Sequence, residues 1–461
     1  MRDRHAVVWT RISGEPVKMG ELYTTELESR FVYEKSFLSL NLPGLGLILS
    51  PEIFGLSTLK WARTERFDFP PPLQSLIPPA DEHNFQRHLI MNYLETIGAA
   101  KVTPFENDWD ILTLSGHGGI GHLDVFSSDE KAITWYSTPV TPHKELLAKD
   151  TALGFSLKNM LIWFDDQTGN LLEFIGPTPS VGGAIPKLLL SIPKSGWNGT
   201  VGLPTRFGNT QYTDIILKLG KDTAYPGITE LEALGLDLHK KAGFETPRYW
   251  LTEFNGIHAI AIERFDRDAR CLPVFQESLF SILASGNASG KKGIKHHYDA
   301  SYDLIGRMFD NPRITLIENR KAAKKYLLKR LLLSFLTGNG DLHLENLSIQ
   351  IRAGISDFSP VYDPVPMRAY SIHNMLNVMP FGDYGDYIEG YDQPVDFILA
   401  VKRFNQSLGF DHNALIDLLN ELFSVTDDFI TRINQLHDLP AENKNHLIQI
   451  HKKIRNSLSE I

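Results

Sequence analysis

The chain has 461 residues, room for two or three domains, and its 42% hydrophobic and 22% charged residues match a soluble globular protein. Its one cysteine, Cys271, excludes an intrachain disulfide and every multi-cysteine zinc or iron–sulfur site, which predicts a reducing, cytoplasmic setting. A net charge of −9 argues against unaided binding of duplex DNA through a broad basic face. No stretch approaches the ~18 apolar residues of a membrane span, and Met1 to Trp9 lacks an apolar run of signal-peptide length, so neither insertion nor export is expected.

In chain order, alternation predicts strands at Ala6–Arg11, Glu21–Thr25 and Ser29–Tyr33, with a helix near 83–97, which together make a small α+β domain over residues 1–136. Ile111–Leu114 also reads as a strand. The run Gly116-His117-Gly118-Gly119-Ile120-Gly121 fits the dinucleotide pattern G-x-G-x-x-G, but His122–Phe126 reads as a strand where that motif needs a helix, so a glycine-rich hairpin is expected. His117 and His122 have no third metal ligand at suitable spacing, and H-E-x-x-H and G-x-S-x-G are absent from the sequence.

Ser137-Thr138-Pro139-Val140-Thr141-Pro142 interrupts both periodicities and predicts a linker over 137–150, with a helix resuming at Lys144–Leu153. Residues 151–265 are strand-rich around one helix at Thr229–Ala242, and 266–461 are mostly helical, with helices at Lys324–Thr337, Asn413–Phe423 and Ala441–Leu458. The fold class is therefore α+β, a strand-rich half followed by a helical half. Lys291 to His297 and the six basic residues between Arg320 and Arg330 read as solvated faces, as most such runs are.

The chemistry concentrates at Gly338-Asn339-Gly340-Asp341-Leu342-His343-Leu344-Glu345-Asn346-Leu347-Ser348, followed by Tyr362-Asp363. An Asp on a loop, an Asn five positions later and a second Asp beyond a hairpin are what ATP-dependent phosphoryl transfer needs: a carboxylate to orient a hydroxyl and two oxygen ligands for Mg2+. Turn-forming residues alone would also give such a segment. Gly338 is the expected stop of the preceding helix, and strands at Leu347–Ile351 and Pro360–Tyr362 around a turn at Gly354–Asp357 would return Asp363 to Asp341 and Asn346.

Three further segments suit that chemistry. Ser180-Val181-Gly182-Gly183-Ala184-Ile185-Pro186-Lys187 is a small-residue loop able to approach phosphate, or a Gly-Gly hairpin turn. Lys218 ends the strand from Asp214 as a phosphate ligand or a snorkelling edge residue, and Glu232 on the next helix is placed to pair with it. Ala261 to Arg267 is a nucleotide hinge, offering adenine the backbone of Glu263 and Phe265 and the apolar ring of Phe265, or a charged edge strand.

These segments, in this order, resemble the HipA family of bacterial toxin kinases over nearly the whole chain. The likeness is carried by Ser180–Ala184 with Lys187, Ile216-Leu217-Lys218, Glu263-Arg264-Phe265-Asp266-Arg267, Gly340 to Ser348 and Pro360-Val361-Tyr362-Asp363. Gly20-Glu21-Leu22, Phe31-Val32-Tyr33, Phe105 and Asp110-Ile111-Leu112 resemble the domain that precedes the kinase core in that family.

The resemblance implies a two-lobed protein-kinase-like core and an ATP- and Mg2+-dependent Ser/Thr kinase, the toxin of a toxin–antitoxin pair. A small helix-turn-helix antitoxin of the HipB type would be its partner, with DNA bound only through that complex. Its substrate would be a translation component such as glutamyl-tRNA synthetase, and Ser180 would be its autophosphorylation site. Asp341, Lys218 and Glu232 would be catalytic; Val181, Gly182, Gly183, Ala184, Lys187, Lys218, Glu263, Phe265, His343 and Asn346 would bind ATP; Asn346 and Asp363 would hold the metal. The chain departs from the family's pattern at Ile185-Pro186, at Glu345 where lysine is frequent, and at Pro364. A small-molecule phosphotransferase using the same site, and a non-catalytic module of the same fold, are the alternatives.

Overall fold

The computed structural model describes residues 4–50, 57–64, 66–80, 84–96, 98–138, 144–145, 185–197, 200–204, 206, 208–220, 225–254, 257–286, 293–390 and 392–461. Contacts divide the chain into two units, the first comprising Met1–Lys221, Arg248–Glu277 and Ser281–Gly293, the second Asp222–Pro247, Ser278–Phe280 and Ile294–Ile461.

The first unit begins with a five-stranded antiparallel sheet formed by β1 (Arg4–Thr10), β2 (Val17–Thr24), β3 (Glu28–Tyr33), β4 (Thr58–Ala62) and β5 (Asp124–Phe126), in the order β4-β3-β2-β1-β5. Alternation sends Phe31 and Tyr33 into a core that also holds Phe69, Leu73, Trp109 and Ile111. Full burial of a phenylalanine such as Phe31 is worth about 1.5–3 kcal/mol. Helix α1 (Phe85–Thr96) starts the chain's path to a second core. Ile111–Leu114, expected as a strand, is instead the end of helix α2 (Pro104–Ser115). Four residues do not distinguish the two states; the start signal does, because Thr103 accepts from Glu106 N–H, its hydroxyl donates to the Glu106 carboxylate, and Pro104 opens the helix.

The glycine run thus joins α2 to β5 and is not a hairpin between strands; helix α3 (Asp129–Ser137) follows β5. Gly118 and Gly121 have φ of +71° and +82°, which leaves their neighbours' carbonyls turned toward a buried cluster. Arg264 donates to Gly118 O (3.1 Å), and Arg267 donates to Gly119 O (2.8 Å) and Gly121 O (2.9 Å). Gly121 N–H donates to Asp266 (2.9 Å), whose carboxylate also accepts from both arginines. Burial works to raise the Asp266 pKa, yet the two guanidiniums and the Gly121 N–H outweigh it and hold it at about 2. His117 and His122 serve structure here: His117 stacks on Phe126 and bonds Val125 O, while His122 bonds Gly44 O and lies against Phe275. Among the described residues no group of three His, Cys, Asp or Glu could hold a metal ion.

A second antiparallel sheet completes this unit: β6 (Lys187–Pro193), β7 (Tyr212–Leu219), β8 (Tyr249–Phe254) and β9 (Ile257–Glu263), in the order β8-β9-β7-β6. Its buried face packs Leu188, Leu190, Ile215 and Leu217 against Phe85 and Leu89 of α1. Lys144–Glu145, expected to open a helix, pairs antiparallel with Thr200–Val201, and the rest of that expected helix lies outside the described residues. No helix among the described residues is long and apolar enough to cross a membrane.

In the second unit, helix α4 (Ile228–Lys241) is held along its length. Glu230 accepts from the N–H groups of His437 (3.0 Å) and Asp438 (2.8 Å), Asp237 pairs with Arg432, and Lys241 pairs with Asp428. A Cβ added at Gly235 would stand 2.1 Å from Pro364 O, so the helix backbone lies directly on the residue after Asp363. His239 donates from Nδ1 to Gly235 O (2.7 Å), which leaves Nε2 to accept from Arg330 Nη1. Burial first, then the guanidinium, pushes His239 well below its ordinary pKa and keeps it neutral.

Arg330 is fully buried on helix α5 (Arg320–Thr337), so the basic run of that helix is not one solvated face. A hairpin follows, β10 (Ser348–Arg352) and β11 (Ile355–Phe358), and then helices α6 (Phe397–Ser407), α7 (His412–Val425), α8 (Phe429–Gln435) and α9 (Ala441–Leu458). The hairpin turn is Ala353-Gly354, with φ of 50° and 79°, the two positive values a two-residue turn needs. The returning strand therefore starts at Ile355 and is over by Phe358, rather than lying at Pro360–Tyr362.

Candidate active site

Helix α5 delivers the loop. Asn339 N–H closes back on Ser334 O (2.8 Å), and Gly338, at φ +76°, ends the helix where a Cβ would meet Leu447 at 2.7 Å. Asn339 Oδ1 then accepts from Asp341 N–H (3.1 Å), and Gly340 passes so close to Met375 O that a Cβ would stand 2.4 Å from it. Leu342 and Leu344 point inward and are fully buried. Tyr302 hydroxyl holds Leu342 O (2.7 Å), and His297 O receives Leu344 N–H (3.0 Å).

With the leucines inward, the side chains of Asp341 and Glu345 are 48% and 41% exposed, while that of His343 is 12% exposed. Asn346 Nδ2 donates to Asp341 O (2.9 Å), which fixes its amide and turns Oδ1 away from that carbonyl. His343 Nδ1 accepts from Glu345 N–H (3.2 Å), and its Nε2 lies 3.4 Å from Asn346 Nδ2 and 3.9 Å from Asp341 Oδ1. Beyond the hairpin, Tyr362 hydroxyl bonds both Glu345 O and Ser348 Oγ, tying the residue before Asp363 to the loop beside Asn346. Asp363 itself sits at φ +49°, a left-handed conformation rare for a residue with a side chain, gripped between that tie and the Gly235–Pro364 contact.

One amide oxygen and one carboxylate are donors of the kind Mg2+ accepts, since it keeps several waters and takes one or two carboxylates plus substrate phosphates, whereas among the described residues no group of three His, Cys, Asp or Glu offers an all-protein cage. The donor chemistry of Asn346 and Asp363 fits such an ion.

The first unit holds the remaining candidates. Lys187 and Lys218 stand directly opposite each other in the β6–β7 register, both buried, so two lysine side chains share one face of the sheet. Glu263 carries a bidentate pair with Arg248 (2.8 Å to each oxygen), and its N–H donates to Arg248 O. Phe265 follows in the turn after β9. Ser180, Val181, Gly182, Gly183 and Ala184 lie outside the described residues. Glu232 is buried on α4 and belongs to the second unit, Lys218 to the first.

Residues 179–428, more than half of the chain, match the family described as the HipA-like C-terminal domain. The chain belongs to the HipA-like family. A Haemophilus influenzae protein provisionally named a kinase is 27% identical over 276 residues, covering 54% of this chain and 74% of that one. The provisionally named kinase Y4dM of Sinorhizobium fredii is 27% identical over 184 residues, covering 36% and 37%. Among solved structures, HipA of Shewanella oneidensis, determined with HipB and its operator DNA, superposes with a TM-score of 0.62 at 18% identity over 96% of this chain and 95% of its own. This HipA-like chain therefore shares the mixed α/β fold of that HipA over nearly its whole length.

Several residues around the loop of this HipA-like protein escaped the sequence reading. Tyr225 bonds His373 (2.9 Å) and meets Tyr370 edge-on, and its phenol pKa is raised by burial and then by the charge of Asp341. Gly235 had a visible signal, a glycine inside a good helix pattern, which costs roughly 1 kcal/mol unless something approaches closely.

Proposed function

We propose that this HipA-like chain is an ATP- and Mg2+-dependent Ser/Thr protein kinase, the toxin of a toxin–antitoxin pair. The observation that carries the reading is the loop geometry: an exposed Asp341 carboxylate, an Asn346 amide fixed on the Asp341 carbonyl, and a left-handed Asp363 on the segment that Tyr362 ties to the same loop. Asp341 is suited to orient the substrate hydroxyl and take its proton as the oxygen bonds the γ-phosphorus and the bond to the β,γ-bridging oxygen breaks, releasing ADP. His343 steadies that carboxylate, and Lys187 with Lys218 forms a buried cationic face suited to phosphate oxygens. Glu263 and Phe265 would receive adenine, and Glu232 would orient Lys218. When bound between Asn346 and Asp363, Mg2+ would neutralise charge on the β- and γ-phosphates.

Ser180 is the proposed autophosphorylation site; a phosphate of about −1.5 to −2 charge there would compete for donors meant for ATP. The provisional kinase names of the two relatives support the activity, and the Shewanella HipA–HipB–DNA assembly supports a HipB-like antitoxin through which DNA is met. A translation component such as glutamyl-tRNA synthetase is the proposed substrate class. The test is transfer from γ-labelled ATP to lysate proteins by wild type and Asp341→Asn. The variant should fold and lose roughly 10²- to 10⁴-fold in rate. Equal labelling by the two proteins would refute the assignment.

A further inference from the structure

The basic stretch that ends at His297 does not present its last histidine to solvent alone. Lys295 and His296 both donate their N–H groups to Asp299 Oδ2 (2.8 Å each), closing a turn that delivers His297 to the Asp341 loop. There His297 O receives Leu344 N–H at 3.0 Å. Its ring centre lies 4.2 Å from that of His343, and its Nδ1 is 3.7 Å from Glu345 Oε2. Tyr298 covers the ring edge-on at 5.1 Å. The chain from His343 Nε2 to Asp341 Oδ1, 3.9 Å, completes a line of side chains from Glu345 through two imidazoles to the exposed carboxylate.

We propose that His297 is a positioning residue of this active site: held by Glu345, its imidazole fixes the His343 ring and, through it, the rotamer of the Asp341 carboxylate. The inference rests on the kinase reading. A half-exposed carboxylate takes its orientation from the groups around it, and misplacement by about 1 Å can cost 10²-fold in rate. A carboxylate beside one nitrogen is a common way to set the orientation of an imidazole, and at 3.7 Å Glu345 acts on His297 as a nearby charge. Glu345, the acid inside the loop where the sequence departs from its relatives, thereby acquires a task in place of a lost positive charge. If the loop contact were structural only, the backbone bond from Leu344 to His297 O would suffice and any side chain at 297 would serve.

The experiment compares His297→Ala, His297→Asn, Glu345→Gln and the double variant His297→Ala/Glu345→Gln, each checked for an unchanged melting profile, by the rate of labelled transfer and the ATP concentration giving half that rate. His297→Ala should lower the saturating rate roughly tenfold with half-saturation unchanged. His297→Asn, whose amide nitrogen takes the place of Nδ1, should recover most of it, and the double variant should be no slower than His297→Ala, because the two side chains act as one. A wild-type rate in His297→Ala, no rescue by Asn, or multiplicative losses in the double variant overturn the proposal. If Asp341→Asn transfers as fast as wild type, the kinase reading itself fails, and the two failures are told apart. Should His297→Ala not fold, His297→Asn and Glu345→Gln carry the same test.

Discussion

Replacing Gly235 with alanine sets two physical effects against each other. Helix propensity alone favours the change by about 1 kcal/mol, since glycine in a helix interior is the more costly residue. The added Cβ, however, would stand 2.1 Å from Pro364 O, 3.0 Å from Pro364 C and 3.2 Å from Pro364 Cγ. Two backbones cannot yield as a flexible side chain would, so they must part by roughly 1 Å, a misfit of the kind that costs about 1–3 kcal/mol. The helix has little freedom to retreat: Glu230 holds His437 and Asp438 N–H, Asp237 holds Arg432, and His239 holds Arg330. The displacement therefore falls on Pro364 and on Asp363 before it. Chemical denaturation should show net destabilisation of up to about 2 kcal/mol, and labelled transfer from ATP should fall by roughly 10²-fold. A variant stabilised by about 1 kcal/mol with wild-type transfer would refute the reasoning.

Two other substitutions probe buried charge. Asp266→Asn leaves Arg264 and Arg267 without their shared carboxylate, and the loss of one partner of such a buried pair costs about 3–5 kcal/mol; a loss under about 1 kcal/mol on denaturation would contradict the clasp. Glu277 is buried, accepts from Leu47 N–H and Ser281 Oγ, and is pushed by burial from 4.5 to about 7. Its folded form holds the proton more tightly, so its contribution is intact below pH 4.5 and is lost as pH rises through 7, roughly 3 kcal/mol in all. Glu277→Gln should flatten the stability–pH curve between about pH 4.5 and 7, and parallel curves for the two proteins would contradict this.

Local punctuation made much of this fold legible. Pro440 ahead of an amphipathic run gives Ala441–Leu458 to the residue, and Gly338 marks the end of α5. Where the signal was short or ambiguous, reading failed: Ile111–Leu114 has too few residues to reveal its period, and the capping box at Thr103–Glu106 that decides it stands a full two turns earlier. The hairpin before Asp363 was displaced because Ala353 does not advertise a left-handed turn. At the candidate site the polar loop residues were visible as a motif. Their supports were not, because His297, Tyr302 and Tyr362 act through contacts that only the tertiary fold creates. Arg330 looked like one more surface cation in a basic helix, and nothing local marks the neutral His239 that it faces, 91 positions earlier in the chain.

The clasp between the glycine run and the Glu263–Arg267 segment bears on what can be cut or exchanged. The HipA-like match begins at residue 179, yet Arg264 and Arg267, inside it, are satisfied by carbonyls at Gly118, Gly119 and Gly121, outside it. A fragment that starts at the boundary of the family would keep Asp266 but leave both guanidiniums without their carbonyl acceptors. Chimaeras that trade amino-terminal domains among relatives will succeed only where the donor brings a glycine run with its carbonyls turned the same way.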